Sequence, residues 1–247
     1  NCMSIKGPRS RCPGCSSGIA WYDNIPVLSW LLLQGRCRTC KLPISPRYLG
    51  VELLTGGLFL WAGWRALYGS PSLGPGGQAA KFAVETAFVS ALIVCTFIDL
   101  EFRILPDEIT LPGLGIGLAV SALFPFLHPE AGRLGLPGTS WMLSQPNLVS
   151  LGAAAVGALT GGGTLYAVAV LGNLLFRRRI AELGETEAMG FGDVKFMAMA
   201  GSVLGWRGVL LTFLLACLAG SLTGLLRYAA TRRLGYVPFG PFLSVGA

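Results

Sequence analysis

Long apolar runs alternate with short polar or glycine-rich segments along most of the chain. Six runs stand out, covering about residues 50–68, 81–98, 109–127, 148–176, 190–206 and 208–229. Each is close to, or longer than, the roughly 17–25 residues with which a helix crosses hydrocarbon. The pattern therefore predicts an all-α polytopic membrane protein, a bundle of about six transmembrane helices.

Residues 1–49 differ from the rest of the chain because they are polar and strongly basic. Seven Lys and Arg residues against one acid, Asp23, give this segment +6 of the chain's net charge of +7. A basic patch can indicate nucleic-acid binding, but beside membrane helices Lys and Arg mark the cytoplasmic side. We predict a cytoplasmic module over 1–49, a membrane domain over 50–247 and no nucleic-acid partner. The short apolar stretch 21–33 is either the core of the module or an interfacial element.

The connections between the runs support one orientation in the membrane. The segment 69–80 carries no charge, whereas arginine clusters follow the fourth run at 177–179 and the sixth run at 227–233. The same rule therefore places both clusters in the cytoplasm. This orientation puts Asp99 and Asp193 at the inner ends of the second and fifth runs. It also makes the glutamate-containing segment 180–188 a cytoplasmic loop that could move over them.

Composition agrees with a membrane protein and excludes most soluble classes. The 247 residues are 53% hydrophobic and 13% charged, with a mean hydropathy of +0.62. A soluble domain carries about 25% charged residues. The single histidine, His128, gives no basis for histidine chemistry, and we expect it to be solvated or interfacial.

Asp99 and Asp193 are the strongest candidates for chemistry in the membrane domain. A carboxylate at the edge of hydrocarbon costs about 2.5–3.5 kcal/mol to hold there, so such residues are usually functional. Two carboxylates that meet can share one proton and activate a water molecule. The sequence thus predicts an aspartate dyad on the cytoplasmic side.

Local sequence leaves other roles open for the acids in these two regions. Asp193 could instead cap a helix or pair with Lys195, and Asp107 could cap the third run or contribute to the site. Glu101 and Glu108 fit a solvated loop better than a site.

Four of the seven cysteines form two C-x-x-C pairs that are separated by 21 residues, Cys12 with Cys15 and Cys37 with Cys40. Such pairs resemble a zinc ribbon in which four thiolates bind a structural zinc ion. Redox disulfides or unligated cysteines are the alternatives, and a cytoplasmic location disfavours stable disulfides. We expect Cys95 and Cys217, which lie inside apolar runs, to be packing residues.

These motifs together resemble the prepilin peptidases, or type IV leader peptidases, along essentially the whole chain. The matching segments, in order, are SRCPGC, WYDNIPVLSWLLLQGRC, PISPRYLGVELLTG, FIDLEFRILPDEITLP, MGFGDVKFMAMAGSVLGW and VPFGPFL. The resemblance implies that Asp99 and Asp193 are the catalytic aspartates of a G-x-G-D intramembrane aspartyl protease. It also implies a further span at each end, which fits a chain that begins without Met and ends within an apolar segment.

The resemblance carries expectations about activity, partners and location. The substrate would be the helix of a type IV prepilin or type II secretion pseudopilin, cleaved at the cytoplasmic edge of the bacterial inner membrane. S-adenosylmethionine would then supply a methyl group to the new N-terminus. No glycine-rich nucleotide motif follows a strand, so the methyl donor would bind at the module or its junction with the membrane. Trp21, Asp23, Asn24 and Glu52 are the candidates there, unless they serve only to fold the module.

Two functions of other classes remain as alternatives at this point. A membrane transporter would use the two aspartates as a proton or cation relay, which requires a path across the bilayer. A zinc-ribbon assembly protein without catalysis would tolerate Asn at both positions.

Overall fold

The computed structural model describes residues 10–128, 145–182, 189–231 and 239–247, and its regular elements there are helices. Within those residues, β-structure is limited to two isolated bridges. The chain divides into two compact units, residues 1–82 and 83–247. The boundary after residue 82 is defined by contacts between residues. The boundary expected after residue 49 is defined by composition, and it stays a prediction.

The first unit contains the cysteine pairs and one long helix. A 3-10 turn at Trp21–Asn24 and the short helix α1 (Leu28–Leu32) precede α2 (Pro46–Tyr68). Proline at the first position of α2 and the Ser45 hydroxyl, which accepts from the Arg47 N–H at 3.3 Å, explain why α2 begins there.

Within its described residues, the second unit contains five α-helices. Helix α3 (Pro75–Phe102) enters it from the first unit, and α4 (Asp107–Leu123) follows. Next come α5 (Pro146–Glu182), α6 (Phe191–Thr231) and the short α7 (Gly240–Gly246). Each predicted run falls mainly in a helix, so the expected all-α architecture is confirmed.

Among the described residues, three helices are long and apolar enough to cross a membrane, namely 75–102, 146–175 and 191–230. Large apolar side chains such as Leu159 and Leu174 are more than 70% exposed on them, as expected for helices that face lipid. The runs predicted at 50–68 and 109–127 fall in α2 and α4, which are not among the three helices that could cross a membrane. Helix α2 carries Glu52 and Arg65 within its apolar sequence, and α4 has only 17 residues.

Helix α6 consists of two arms that meet at Gly205. The backbone there has φ 70° and ψ 173°, a non-helical conformation that glycine adopts without a steric penalty. The arms, residues 191–204 and 206–231, correspond to the two separate runs predicted at 190–206 and 208–229. The sequence therefore located this break to within about two residues.

His128 lies beside the break and corrects one expectation. Its side chain is buried, with Nε2 3.3 Å from both the Ser121 hydroxyl and the Ser202 carbonyl oxygen. Its Nδ1 lies 3.3 Å from where a Cβ on Gly205 would be. The prediction of a solvated or interfacial histidine is wrong, because the ring packs against the glycine that breaks α6.

Close packing between α5 and the first arm of α6 sets the position of the candidate site. A Cβ on Gly157 would collide with the Gly201 carbonyl oxygen, and one on Gly161 with that of Met197. Small residues four positions apart allow this approach of two backbones in a membrane. Buried side chains extend the contact into a core that includes Leu165, Phe196, Met197, Met199 and Cys95. The packing of Cys95 agrees with the expectation for it.

Candidate active site and cysteine cluster

Asp99 and Asp193 lie at helix ends and face the same region of the second unit. Asp99 is in the last turn of α3 and is 7% exposed, while Asp193 is the third residue of α6 and is partly buried. The two side chains are close enough for the charge of Asp99 to act on Asp193. Two helices of mainly apolar sequence thus place two carboxyl groups, 94 positions apart in the chain, within electrostatic range of each other.

Helix α7 covers Asp99 with its first residue. The Gly240 backbone N–H faces the Asp99 carboxylate, and a Cβ on Gly240 would lie 2.6 Å from Asp99 Oδ2. Only glycine fits this position without a shift of the carboxylate. Asp99 Oδ2 is itself buried and has no hydrogen-bond partner among the described residues. A buried acceptor without a partner is costly, so this oxygen is one of the unsatisfied groups that call for an explanation in function.

The two glycines before Asp193 differ in their surroundings. A Cβ on Gly192 would lie 3.1 Å from Leu105 Cβ, in the connection between α3 and α4, whereas a Cβ on Gly190 would meet nothing within 4 Å. The expectation that flanking glycines permit close approach therefore holds for Gly192. For Gly190 the surroundings give no steric reason.

Lys195 binds Asp107 rather than Asp193. Its Nζ donates to both carboxylate oxygens of Asp107, at 2.6 Å and 2.8 Å, and lies 5.2 Å from the centre of the Phe191 ring. Asp107 is in the first turn of α4 and makes no capping hydrogen bond, since the N-cap residue is Pro106. The pair ties the start of α4 to the start of α6 and leaves Asp193 without Lys195 as a counter-ion.

The remaining acids near this site lie at the surface or outside the described residues. Glu101 and Glu108 are exposed, in agreement with their expected solvation. The segment 180–188, expected to form a cytoplasmic loop, lies outside the described residues from 183 onward.

The four cysteines of the first unit form one cluster from two similar turns. In each turn the first cysteine N–H donates to the carbonyl oxygen five residues later, Cys12 to Ser17 and Cys37 to Leu42. The residue after the second cysteine, Ser16 or Lys41, has a positive φ near 58° and donates its N–H back to the first cysteine. This repeated geometry is why each pair can present two sulfurs to one point.

The cluster fits a tetrahedral zinc ion. All four Sγ atoms lie within 4.8 Å of one another, and those of Cys12 and Cys40 are 3.7 Å apart. Sulfurs about 2.3 Å from a tetrahedral zinc would be roughly 3.8 Å apart. The Ser17 hydroxyl, 2.9 Å from Cys15 Sγ, lowers the pKa of that thiol to about 6, which favours the thiolate that binds metal.

Two family models match the chain. Residues 1–66 match the Bacterial Peptidase A24 N-terminal domain, and residues 86–225 match the Type IV leader peptidase family. The chain belongs to the type IV leader peptidase family. The cysteine cluster thus lies within the first match, and both Asp99 and Asp193 lie within the second.

Similar proteins are named prepilin leader peptidase/N-methyltransferase. One from Myxococcus xanthus is 39% identical over 94% of this chain and 58% of its own length. One from Aeromonas hydrophila is 36% identical over 96% of this chain and 69% of its own length, and one from Burkholderia pseudomallei is 37% identical over 97% and 65%. The chain therefore spans about three fifths to two thirds of these relatives. No solved structure matches it.

Of the four residues expected to bind a methyl donor in this leader-peptidase chain, three lie together and one does not. Asp23, Asn24 and Glu52 line one cavity of the first unit. Trp21 does not line it and is 80% exposed. Asp23 accepts from Arg38 Nε at 2.7 Å and from its second nitrogen at 2.6 Å, which lowers the pKa of Asp23. Sequence reasoning missed Arg38 as its partner, although the pair joins the WYDN segment to the second cysteine turn.

Proposed function

We propose that this chain cleaves the leader of a type IV prepilin or a type II secretion pseudopilin with Asp99 and Asp193 as a catalytic dyad. The observation that supports this most directly is the placement of both carboxyl groups in the terminal turns of mainly apolar helices, with Asp99 buried and Asp193 partly buried. Membership of the leader peptidase family supplies the class of substrate.

In the proposed reaction, one carboxylate takes a proton from a water molecule while the other, protonated, donates to the scissile carbonyl. The water oxygen bonds to the carbonyl carbon, and the peptide C–N bond then breaks as the leaving nitrogen is protonated. The products are the leader with a new carboxyl terminus and the mature protein with a free amine. In this mechanism the two carboxyl groups do not both ionise, and one proton is shared by the pair.

Contacts with neighbouring glycines position the two carboxyl groups. Gly240 fixes Asp99 from one side, and its unpartnered Oδ2 is the oxygen that would contact water or substrate. Gly192 lets the α3–α4 connection pack directly against the turn that carries Asp193. Both contacts limit motion of the carboxyl groups, and such positioning contributes strongly to catalysis.

The proposed setting is the cytoplasmic edge of the bacterial inner membrane. The arginine-rich ends of the runs favour this orientation by the positive-inside rule, and the apolar helices favour a bilayer. Zinc bound by Cys12, Cys15, Cys37 and Cys40 would be structural, because four thiolates leave no open coordination position.

N-methylation of the new amine is the second proposed activity, since the similar proteins carry it in their names. S-adenosylmethionine, when bound, supplies the methyl group. A relay of protons across the membrane gains no support, because the family model that matches most of the chain is that of a peptidase.

Incubation of the full chain in membranes with a prepilin peptide tests the proposal. Mass analysis of the product should show leader removal, and Asp99→Asn and Asp193→Asn should each abolish it. Glu108→Gln, an exposed acid near the site, is the matched control and should cleave normally. Full cleavage by either aspartate variant would refute the dyad.

A further inference from the structure

The short helix α1 turns its apolar face away from the first unit. Leu28, Leu31 and Leu32 share one face of the helix, because residues three and four positions apart lie on the same side. Leu28 and Leu31 are more than half exposed, and Leu32 is 73% exposed. A helix on the surface of a soluble domain packs such a face into the core. The three leucines of α1 are instead open to a partner outside the unit.

The other side of α1 faces inward and is anchored there. Ser29 is buried, and its hydroxyl donates to the Tyr22 carbonyl oxygen at 2.9 Å. Trp30 directs its indole N–H to the Ile44 carbonyl oxygen at 3.4 Å and lines the cavity of this unit, whereas the three leucines do not line it. These contacts fix the rotation of α1, so its leucines do not turn inward while the unit keeps this fold. The inward side of α1 therefore belongs to the core of the unit, and the leucines are left for an interface.

Trp21 extends the exposed apolar surface beyond α1. Its side chain is 80% exposed and packs edge-on against Tyr22, with ring centroids 5.7 Å apart. The hydrogen bond from Ser29 to Tyr22 joins this 3-10 turn to α1. Single apolar side chains are common on soluble proteins, but a group of large ones marks a site of interaction. We refer to Trp21, Leu28, Leu31 and Leu32 as the apolar patch.

The surface of residues 10–52 is cationic. All of its Lys and Arg side chains are exposed, namely Arg11, Arg36, Arg38, Lys41 and Arg47. They outnumber two partly buried acids, Asp23, which pairs with Arg38, and Glu52. Arg36 lies four residues after the last leucine of α1, and Arg38 lies over the Tyr22 ring, 5.6 Å from its centroid. Lys and Arg side chains beside an apolar surface are attracted to anionic lipid headgroups.

From these features we infer that the apolar patch inserts into the headgroup region of a bilayer that contains anionic lipid. Tryptophan favours this interface, where the ring is partly buried and its N–H stays hydrated. The unit is tethered to a bilayer, because the chain continues from it along α3, a helix long and apolar enough to cross a membrane. Lipid supplies both the apolar layer and the anionic groups that the patch and its neighbouring arginines require. This surface is independent of the aspartate dyad and of methyl transfer.

Photochemical cross-linking of the full, zinc-loaded chain in lipid nanodiscs tests the inference. One photoreactive p-benzoylphenylalanine replaces either Leu32, on the apolar patch, or Trp30, on the inward side of the same helix. Irradiation in nanodiscs with anionic lipid should attach lipid to the chain at position 32. At position 30 it should instead produce cross-links within residues 10–52. Peptide mass analysis identifies the adducts, and the zinc content of the same preparations shows that the unit is folded.

Two results at position 32 would overturn the inference. Cross-links to peptides of this chain or of another protein would show that protein covers the apolar patch. Absence of any adduct there, with the expected cross-links at position 30, would show that the patch faces water.

A matched pair of variants separates insertion of the apolar face from attraction of charge. With p-benzoylphenylalanine in place of Trp21, Leu32→Glu should lower lipid cross-linking roughly tenfold, since a carboxylate on the inserted face opposes insertion. Gln34→Glu adds the same charge to an exposed side chain off the patch and should change cross-linking little. Both variants should retain zinc, because both side chains are exposed. Equal losses of cross-linking, or loss of zinc in Leu32→Glu, would contradict insertion of the patch.

Discussion

The cysteine cluster and the aspartate pair are assembled in opposite ways. The cysteines come from two local turns with the same backbone pattern, and their four sulfurs point at one another. The aspartates come from distant helices, and Asp99 keeps one buried oxygen without a partner among the described residues. A metal site in which four protein groups all bind the ion has no open coordination position, and its role is structural. A carboxylate that lacks a partner and lies near a second acid can instead take part in a reaction.

Removal of one thiolate should have the largest effect on the first region. Cys37→Ser should reduce zinc from one equivalent per chain to nearly none, because one of four ligands is lost, and should lower the melting temperature of the module. Atomic absorption and thermal denaturation measure both. Asp193→Asn is the matched comparison and should retain the full zinc content; equal zinc loss in the two variants would show that the regions are not separate.

A methyl group at Gly240 should disturb the second region with no effect on the first. Gly240→Ala would place a Cβ 2.6 Å from Asp99 Oδ2 and should lower kcat about 10- to 100-fold, since small displacements of a catalytic group are costly. Gly224→Ala in α6, where a Cβ meets nothing within 4 Å, is the control. Initial cleavage rates of the two variants test this prediction. Equal rates would show that Gly240 does not position Asp99 for catalysis.

Alanine substitutions at the two glycines of the G-x-G-D motif should slow cleavage to different extents. Gly192→Ala must push Leu105 by a few tenths of an ångström and should slow cleavage several-fold, whereas Gly190→Ala meets open space and should cleave nearly as fast as wild type. Parallel cleavage assays with both variants test this. A stronger defect in Gly190→Ala would mean that the backbone contact at Gly192 is not what the motif provides.

The smallest effect is expected from the Lys195–Asp107 pair. Asp107 is about half exposed, and exposed ion pairs contribute about 0.2–1 kcal/mol, so Lys195→Met should change the cleavage rate by about fivefold at most. The rate of the wild type should approach that of the variant as salt increases. A complete loss of cleavage would instead assign Lys195 to the chemistry.

Much of the fold was predictable because hydrophobic length and glycine chemistry act locally. The apolar runs predicted the helices of the bundle, and the interruption between the fifth and sixth runs corresponds to the non-helical Gly205. The cysteine spacing predicted a cluster because each C-x-x-C turn is a local structure.

Contacts between distant elements were beyond the same reasoning. The sequence did not show that Gly240 covers Asp99, that Lys195 selects Asp107, or that His128 is buried against Gly205. Each of these depends on how helices far apart in the chain pack, and several partners compete for each charge. Pro241 was a usable signal only for where α7 begins, since proline is favoured in the first turn of a helix.

The central claim is that Asp99 and Asp193 act as one catalytic unit. A cycle of Asp99→Asn, Asp193→Asn and the double variant, assayed for prepilin-leader cleavage by mass spectrometry, tests it most directly. Because groups that act as a unit are strongly non-additive, each single variant should lose as much activity as the double variant. Losses that add, or one single variant that still cleaves at the wild-type rate, would contradict the account.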